Sequence, residues 1–477
     1  MSAAYDVGAL VKAIGPIKHE TNPVLVKQKS RDFYWYSPVL KRELDAVSAD
    51  IVVTPKNEAE IALVLKAAHR LEMPVTARGG GTGNYGQAMP LNGGVLMNLI
   101  EMNRVLDIGA GRVVCEPGAV LLDIDKETAA SGQELRMFPS TRATATLAGF
   151  VAGGSGGVGS INWGGLRDFG NVLRLKVMTM EAEPRTLELT GEDLHKAVHA
   201  YGTNGVIVEV EAPLAPRYEW AEVIVGFESF DSATAYALAL GEQDGILKKL
   251  ITVVAAPAPH RFFLRHRPFI PEGASVVLLL IAPHALDPFR AFTRLFRGAT
   301  ILFDSSAIAG ESLAGLPPIY ELTWNHTTLR ALRVDPAITY LQARYPDRGA
   351  LELLRRIHDR FAAEIIGHLE VIRFNGRISF AGLPLVRFTT EERLSEIIAE
   401  HEEMGAMIFN PHRYTLEEGG MKQTDAIQLA FKRETDPQGL LNPGKMIAWE
   451  DPDFDFKAGK NFLFPGLEAR AALAARL

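Results

Sequence analysis

The chain has 477 residues, of which 47% are hydrophobic and 22% are charged, so we expect a soluble globular protein of two or three domains. Its formal net charge of −7 argues against a nucleic-acid-binding protein, because such a protein needs a basic surface to neutralise phosphates. The single cysteine, Cys115, excludes an internal disulfide framework and a thiolate zinc site.

The sequence carries no recognisable targeting or membrane segment. The opening "MSAAYDVGALVKAIGPIKHE" lacks both a basic n-region and a long apolar h-region. The most apolar run, "SVVLLLIA" at residues 275–282, is too short to cross a bilayer and predicts a buried strand. We therefore expect a cytoplasmic protein without a transmembrane segment.

The first half of the chain alternates helices and strands. Asn57 is a candidate N-cap with Glu60 at the capping-box distance, and the apolar residues of "EIALVLKAA" then share one helical face. A short strand from Val75 to Ala77 follows and leads directly into the glycine-rich stretch "RGGGTG". Such a cluster of glycines indicates a tight turn or a close approach of the backbone to a ligand.

A second glycine-rich stretch, "TLAGFVAGGSGGVGSINWGG", runs from Thr146 to Gly165. Neither stretch is a Walker A loop, because no Gly-Lys-Ser/Thr follows. Neither fits the dinucleotide-binding GxGxxG pattern with an acidic residue downstream. Two such loops in one domain indicate a long ligand whose anionic oxygens are held by successive backbone amides.

These stretches and their flanks resemble one known family. "DIVVTPKNEAEIALVLKAAHRLEMPVTARGGGTG", "FPSTRATATLAGFVAGGSGG", "YGTNGVIVEVEAPLAP" and "DPQGLLNPGKM" are similar in order and spacing to segments of the FAD-binding oxidoreductases of the vanillyl-alcohol oxidase and para-cresol methylhydroxylase (PCMH) type. The likeness is nearest to the glycolate oxidase, D-lactate and D-2-hydroxyglutarate dehydrogenase branch. It implies an FAD-linked oxidase or dehydrogenase that acts on CH–OH groups.

The resemblance also implies which residues bind FAD. In the resembled fold the first glycine loop wraps the pyrophosphate, where a side chain would block the approach. Asn442 carries over to the isoalloxazine end. The residues that carry over to the pyrophosphate, ribose or adenine are Gly79, Gly80, Gly81, Thr82, Gly83, Pro139, Ser140, Thr146, Gly149, Gly153, Gly156 and Val206.

The flavin is expected to bind tightly but without a covalent bond. Relatives that attach FAD through the first loop carry histidine where this chain has Thr82. Cys115 lies outside the second glycine-rich segment, in which relatives with two covalent links place a cysteine. A histidine link from the substrate domain stays open as the alternative.

Oxidation of a hydroxyl carbon requires a base for the hydroxyl proton, and histidine is the usual one. In the hydroxy-acid branch, two signatures supply metal ligands and this base. Laid on this chain, Ile372, Ser379 and Pro411 occupy the positions of three metal ligands, and His412 alone matches. We therefore expect no metal and His412 as the base, with a turn histidine as the alternative and His326 as the next candidate.

An arginine pair is the expected replacement for the metal. Arg373, Asn375 and Arg377 alternate in "EVIRFNGRISF", and alternate residues of a strand share a face. The two guanidinium groups are therefore expected to clamp a carboxylate or to polarise a hydroxyl oxygen. A solvated strand face is the alternative.

The stretch "TWNHTT" combines an aromatic ring, an amide and an imidazole before a predicted helix. This combination favours a substrate pocket with an apolar wall and converging polar groups, and a capped helix with a core tryptophan is the alternative. The candidate substrate-binding residues are Trp324, Asn325 and Asn375, with Tyr340 and Tyr414 as further candidates.

The sequence predicts an α+β fold with a PCMH-type FAD-binding domain and a cap domain built on an antiparallel sheet. The FAD-binding domain is expected at residues 1–217 and the cap, or substrate, domain at residues 218–410. Residues 411–450 are expected to return to the FAD-binding domain. The amphipathic tail at residues 451–477 is expected to dock on its own chain or on a partner.

We expect an FAD-dependent oxidoreductase that oxidises an alcohol or a hydroxy acid by hydride transfer to flavin N5. Two alternatives stay open: a 2-hydroxy-acid dehydrogenase with a rebuilt pocket, and the flavin-binding subunit of a multi-subunit oxidoreductase. The expected partners are a small-molecule substrate and an electron acceptor, which is oxygen, a quinone or a cytochrome. The oligomeric state, a homo-oligomer included, also stays open.

Overall fold

The computed structural model of the chain describes residues 5–308, 310–419 and 426–454. Helices and sheets are mixed along these residues, which confirms the predicted α+β class. The amphipathic end of the predicted tail lies outside the described residues. Across the described ranges, no helix is both long enough and apolar enough to cross a membrane.

Helices occur along the whole described chain. The α-helices are Val7–Ile14, Pro23–Lys29, Pro38–Leu44, Glu58–Arg70, Leu121–Thr128, Leu147–Gly153, Ser160–Trp163, Phe230–Gly241, Ala258–Phe262, Leu286–Thr293, Gly310–Leu313, Asn325–Leu332, Ala350–Phe361, Glu391–Met404, Ala426–Thr435 and Ile447–Glu450. Short 3₁₀-helices are Tyr34–Tyr36, Ala129–Ser131, Gly191–Lys196, Arg267–Phe269, Pro283–Ala285 and Ile319–Leu322.

The strands of the described residues form four sheets. A four-stranded sheet has the order Lys18–Glu20, Ile51–Thr54, Val95–Asn98, Val75–Arg78. A six-stranded sheet has the order Val105–Gly109, Arg112–Cys115, Val206–Pro216, Arg174–Met178, Thr186–Thr190, with Gln133–Leu135 also paired to Val206–Pro216. A three-stranded sheet has the order Ile338–Tyr340, Leu385–Arg387, Ile365–Ile366.

The largest sheet has eight strands, and every pair in it is antiparallel. The antiparallel pairing agrees with the sheet predicted for the cap domain. Its order is Thr300–Asp304, Ala221–Phe227, Ser275–Ile281, Lys248–Val254, His368–Phe374, Arg377–Gly382, Ala343–Arg344, Met407–Ile408.

The predicted helix after Asn57 is confirmed. The Asn57 side chain accepts a hydrogen bond from Glu60 N at 2.9 Å, and Glu60 Oε2 accepts one from Lys56 N at 2.8 Å. The predicted apolar face of this helix is completely buried, at Ile61, Leu65 and Ala68. The helix packs this face onto the four-stranded sheet, so strand Val75–Arg78 and the loop after it have a fixed support.

The eight-stranded sheet is buried on both faces. Leu250, Val254 and Leu278 contribute to the core shared with the six-stranded sheet. Ile251 and Val253 contribute to the core on the opposite face, under the covering helices. Because successive residues of a strand point to opposite faces, continuous apolar runs such as residues 275–281 are required here, and that predicted strand is confirmed as fully buried.

The C-terminal part of the described chain packs against the first sheet. Val75 N donates to Leu440 O at 2.8 Å, and Asn442 N donates to Val75 O at 2.9 Å. The buried ammonium of Lys432 donates to Leu441 O at 3.0 Å and contacts Asp436 at 2.5 Å. These contacts fix the segment around residue 441 beside the strand that precedes the first glycine loop.

Candidate active site

A long groove lies where the first glycine-rich loop meets the helix Leu147–Gly153 and its flanks. Residues 324–326 and residues from the strand Val206–Pro216 complete its wall. Most of the residues predicted to bind FAD line this groove: Gly79, Gly80, Gly81, Thr82, Gly83, Pro139, Ser140, Thr146, Gly149, Gly153 and Gly156.

The glycines are needed because the two loops touch each other. A Cβ atom on Gly79 would lie 2.0 Å from Thr146 Oγ1, and one on Gly80 would lie 2.1 Å from the carbonyl oxygen of Thr144. Gly81 has a φ of +64°, a conformation that residues with a side chain rarely adopt. The bare backbone of one loop therefore packs on the other, and the groove is walled by peptide groups.

The chemistry of this wall suits an anionic ligand. None of the described lining residues is an aspartate or a glutamate, and Arg78 places a guanidinium there. Arg78 Nη1 donates to Lys29 O at 2.6 Å, while its buried Nε has no protein partner. Thr146 caps the helix Leu147–Gly153, with Gly149 N 3.3 Å from its hydroxyl. A lining of backbone amides, hydroxyls and a guanidinium, without an aspartate or glutamate, fits the pyrophosphate of the predicted cofactor.

Two residues predicted to contact FAD do not line the groove. Gly205 and Ile207 line it, whereas Val206 between them packs in the core under the four-stranded sheet. Since alternate residues of a strand face opposite sides, the Val206 side chain points away from the groove, and its contact with FAD stays a prediction. Asn442 is absent from the lining because its amide donates to the carbonyls of Gln87 and Tyr201 at 2.8 and 2.6 Å.

Residues 324–326 line the groove and carry three buried polar atoms without protein partners. Trp324, Asn325 and His326 all line it, as predicted from "TWNHTT". Trp324 Nε1, Asn325 Oδ1 and His326 Nδ1 are buried and have no hydrogen-bond partner among the described residues. Buried polar atoms are almost always paired, so three unpaired ones at one groove indicate the place of a ligand.

The His326 ring is held in its neutral form. Burial lowers the pKa of His326 to about 4, and the positive charges of Arg330 and Arg333 act in the same direction. A hydrogen bond with the backbone of Glu321 opposes this shift. Near pH 7 the imidazole is therefore uncharged and can accept a proton.

The structure argues against His412 as the base. Its Nδ1 lies 2.7 Å from Ser37 Oγ and its Nε2 lies 3.0 Å from the carbonyl oxygen of Tyr340. The side chain is buried and does not line the groove. Both ring nitrogens are occupied by the protein itself, so this histidine corresponds to the structural alternative.

The three residues predicted to form an arginine clamp, Arg373, Asn375 and Arg377, do not lie on one strand. His368–Phe374 and Arg377–Gly382 are two strands, joined by a turn in which Asn375 and Gly376 have φ values of +51° and +75°. An Asn-Gly pair with positive φ at both positions is the preferred tight hairpin turn, and this signal was missed. Asn375 and Arg377 are exposed, and none of the three predicted residues lines the groove.

Arg373 has protein partners on the surface of this hairpin. Its Nη2 lies 2.7 Å from Asp244 Oδ1 and its Nε donates to Ile161 O at 3.3 Å. Ile372 and Ser379, which align with metal-binding histidines of the resembled branch, face each other across the hairpin. Within the described ranges, no group of three or more His, Cys, Asp or Glu side chains is arranged to hold a metal ion.

The two tyrosine candidates also lie off the groove. Tyr340 is fully buried, and its hydroxyl accepts a hydrogen bond of 2.7 Å from Asn84 Nδ2. Asn84 itself lines the groove, so Tyr340 supports a lining residue. The buried ammonium of Lys445 lies 4.9 Å from the centroid of the Tyr414 ring. Neither tyrosine is placed for direct contact with a ligand in the groove.

Several lining residues were not predicted. The Tyr85 hydroxyl donates to Gln342 Oε1 at 2.5 Å, and both residues line the groove. Phe33 and Tyr36 line it from the aromatic stretch "DFYWYS". A run of aromatic residues ahead of the glycine loop was a signal for these two. Tyr85 and Gln342 are far apart in the sequence, so no local sequence pattern predicts that they pair.

Comparison with known proteins identifies an FAD binding domain in this chain. Residues 49–188 match the family model described as an FAD binding domain. The D-lactate dehydrogenase of Archaeoglobus fulgidus is 30% identical over 435 residues, which cover 83% of this chain and 91% of that protein. The glycolate oxidase subunit GlcD of Escherichia coli K12 is 32% identical over 217 residues. That match spans less than half of this relative, 43% of its length and 43% of this chain.

Solved structures show the same fold. An alkyldihydroxyacetonephosphate synthase superposes with a TM-score of 0.69 at 14% identity, over 93% of this chain and 85% of that one. The 4-ethylphenol oxidase of Gulosibacter chungangensis superposes with a TM-score of 0.64 at 17% identity, over 92% and 95% of the two chains. The resemblance stated from the glycine-rich segments and the prediction of FAD as the cofactor are both confirmed. The chain therefore belongs to the FAD-binding oxidoreductases with a PCMH-type FAD-binding domain.

Proposed function

We propose that the chain oxidises the CH–OH group of an alcohol or a hydroxy acid, with FAD as the electron acceptor and His326 as the base. The observation that carries the proposal is that Trp324, Asn325 and His326 line the same groove as the glycine loops and carry three buried polar atoms without protein partners. A substrate hydroxyl in this groove would find both a hydrogen-bond acceptor and a neutral imidazole.

The glycine loops are the proposed binding site for the cofactor phosphates. The amides of residues 79–83, together with the Thr82 hydroxyl and Arg78, would hold the pyrophosphate. When bound, FAD supplies a two-electron acceptor that takes a hydride at N5. We propose that the cofactor is held without a covalent bond, since Thr82 stands in the loop where a linking histidine is found in resembled proteins. Release of intact FAD on acid or heat denaturation tests this point.

His326 replaces His412 as the proposed base. A base must be neutral before the reaction and must have a free nitrogen in reach of the substrate. His326 lines the groove with an unpartnered Nδ1, and its lowered pKa of about 4 keeps the ring neutral. In His412 the two ring nitrogens already contact Ser37 and Tyr340.

The remaining groove residues are proposed to orient the substrate. Phe33, Tyr36 and Trp324 supply aromatic rings to the lining of the groove. Tyr85 and Gln342 face the same groove, and their mutual hydrogen bond fixes the direction of the hydroxyl and the amide. Burial raises the pKa of Tyr85 well above its usual value, so this phenol acts as a neutral hydrogen-bond partner and not as a base.

Two alternatives each have a specific observation in their favour. The match to a D-lactate dehydrogenase over 91% of that protein favours a 2-hydroxy acid as the substrate. The match to a glycolate oxidase subunit favours a chain that needs a partner for complete activity, although this match spans only 43% of that relative. Neither alternative changes the proposed positions of the cofactor or of His326.

Anaerobic bleaching of the flavin in the purified protein separates these possibilities. Glycolate, D-lactate and an aromatic alcohol such as benzyl alcohol are added separately, in a buffer with a chelator. Bleaching by any of them supports oxidation by this chain without a metal. Bleaching that needs a co-purified second chain supports the subunit alternative. A flavin that is reduced by dithionite but by no alcohol or hydroxy acid contradicts the proposed activity.

A further inference from the structure

Three polar side chains lie on a sheet face that is otherwise apolar. Thr252 and Glu370 face each other on neighbouring strands of the eight-stranded sheet, and His368 lies two residues before Glu370 on the same face. Their exposed fractions are 0%, 1% and 0%, respectively. We call these three residues the Glu370 cluster. The same face otherwise carries side chains such as Leu250 and Val254, which belong to the core.

Every polar atom of the cluster has a partner. Glu370 Oε1 accepts a hydrogen bond from Trp324 N at 2.6 Å and lies 3.0 Å from His368 Nε2. Glu370 Oε2 accepts one from the Thr252 hydroxyl. His368 Nδ1 lies 3.0 Å from the carbonyl oxygen of Leu383. Carbonyl and carboxylate oxygens only accept, so the ring donates from Nδ1 to Leu383 O and from Nε2 to Glu370 Oε1.

The cluster reaches the groove at two points. Trp324 and Leu383 both line the groove, and both are bonded to the cluster through their backbones. The cluster also contacts the helix Asn325–Leu332 through Thr327. The Thr327 hydroxyl donates to Leu322 O at 2.6 Å and lies 3.2 Å from His368 Nε2. The Glu370 cluster, on a buried face of the eight-stranded sheet, is thus hydrogen-bonded to the segment that contains Trp324, Asn325 and His326.

Trp324 needs such support because its backbone is strained. Its φ and ψ are +50° and −141°, a region that residues with a side chain occupy only when the surroundings impose it. The hydrogen bond from its amide to a carboxylate is charge-assisted, and such bonds are about twice as strong as neutral ones. The helix Asn325–Leu332 starts at the next residue, so the conformation of Trp324 sets the direction of Asn325 and His326.

We propose that Glu370 is a positioning residue, held by His368 and Thr252, which fixes Trp324 and thereby directs Asn325 and His326 into the groove. This inference rests on the proposed function of His326. Burial of a carboxylate and an imidazole on an apolar face is unfavourable unless the pair is fully hydrogen-bonded. A shape-matched apolar pair would fill the same space, but it would leave the Trp324 amide without an acceptor.

Three variants of the holoenzyme test the proposal. Glu370→Leu removes the acceptor of the Trp324 amide, and Glu370→Gln keeps an uncharged acceptor of the same shape. Thr234→Val is the matched control, because it removes another buried threonine hydroxyl, which donates to Phe230 O within the helix Phe230–Gly241 and does not line the groove. We expect kcat to fall about 100-fold in Glu370→Leu and about 10-fold in Glu370→Gln, as displacement of a reacting group by about 1 Å costs about 100-fold. Thr234→Val should stay within about twofold, and all three should keep their flavin.

Two readouts do not depend on turnover. The emission of Trp324, isolated as the difference from Trp324→Phe, should move to longer wavelength in Glu370→Leu and less in Glu370→Gln. Hydrogen exchange of the Trp324 amide should accelerate in the same order. If Glu370→Leu does not fold, Glu370→Gln decides the matter. Unchanged exchange, emission and kcat in Glu370→Gln overturn the proposal, and so does an equal loss in Thr234→Val. If exchange and emission change as expected while no alcohol or hydroxy acid reduces the flavin, the proposed function fails and the positioning of Trp324 stands.

Discussion

The groove has two walls that are built in different ways. The glycine wall, residues 79–83 and 146–156, presents peptide groups, and its shape follows from loops that touch at Gly79 and Gly80. The side-chain wall, residues 324–326 with Tyr85 and Gln342, presents rings, amides and an imidazole. The glycine wall is specified by local sequence, whereas the side-chain wall depends on contacts between distant segments. A substitution in the glycine wall should therefore reduce FAD binding. A substitution in the side-chain wall should instead slow the reduction of bound FAD by the substrate.

The largest expected effect is loss of the flavin from a variant of the glycine wall. A Cβ atom on Gly80 would lie 2.1 Å from the backbone oxygen of Thr144, which cannot rotate away as a side chain can. Gly80→Val should therefore separate the two loops and yield protein without bound FAD, measured as the ratio of flavin to protein absorbance. Gly245→Ala is the control, because nothing lies within 4 Å of its added carbon. Normal flavin content in Gly80→Val would contradict the assignment of this wall.

The next effect concerns the side-chain wall and leaves the flavin in place. His326→Ala should slow anaerobic flavin reduction by about 10²–10⁴-fold, the usual range for loss of a general base. His412→Ala should instead weaken folding by about 1–3 kcal/mol, because the Ser37 hydroxyl and the Tyr340 carbonyl lose a buried partner. Stopped-flow reduction rates and thermal unfolding measure the two effects. If flavin reduction slows in His412→Ala and not in His326→Ala, His412 is the base.

The pH dependence of reduction sharpens the assignment of His326. A base accepts a proton only in its neutral form, and the pKa of His326 is lowered to about 4. The second-order rate of flavin reduction in the free enzyme should thus be flat near neutral pH and fall about tenfold per pH unit below about pH 4. Brief pH jumps keep the protein folded during the measurement. An inflection near pH 6.5, the ordinary value for histidine, would indicate a base outside this buried site.

A smaller effect links buried histidines to acid stability. Burial lowers the pKa values of His199 and His412 to about 3, while in the unfolded chain histidine titrates near 6.5. The unfolded state then binds more protons between about pH 3 and 6.5, so stability falls as the pH drops through this window. Each such histidine adds at most about 1.4 kcal/mol per pH unit. His412→Gln should flatten this loss in unfolding curves recorded from pH 7 to pH 4.5, and an unchanged slope would contradict the buried neutral ring.

The sequence predicted the glycine wall well and the side-chain wall in part. The loop at residues 79–83 has a local cause, since the positive φ of Gly81 and the contacts of Gly79 and Gly80 demand glycine. Residues 324–326 could be found because three unlike groups adjoin in the chain. The contacts of His412 could not be predicted, because its partners, Ser37 and Tyr340, are distant in sequence.

The hairpin at Asn375 shows a different kind of failure. Its Asn-Gly turn is a local signal, whereas alternation alone over "EVIRFNGRISF" predicts one strand. A run of this length exceeds the usual length of a strand and is therefore typical of two strands with a turn between them. Glu370 is harder to predict, because a carboxylate in a strand normally faces solvent. Its role depends on the Trp324 amide, which reaches it only in the folded chain.

The smallest expected effect tests the arginines that the sequence placed at the substrate. Arg373 contacts Asp244 at the surface, and exposed ion pairs of this kind contribute about 0–1 kcal/mol. Arg377 is exposed in the neighbouring strand, and neither arginine lines the groove. Arg373→Ala and Arg377→Ala should therefore leave KM and the reduction rate within about twofold, since substitutions away from a site usually have small effects. Steady-state kinetics with the best substrate from the bleaching assay measures both values. A tenfold rise in KM in either variant would mean that the hairpin reaches the substrate, and it would extend the side-chain wall to the surface of the eight-stranded sheet.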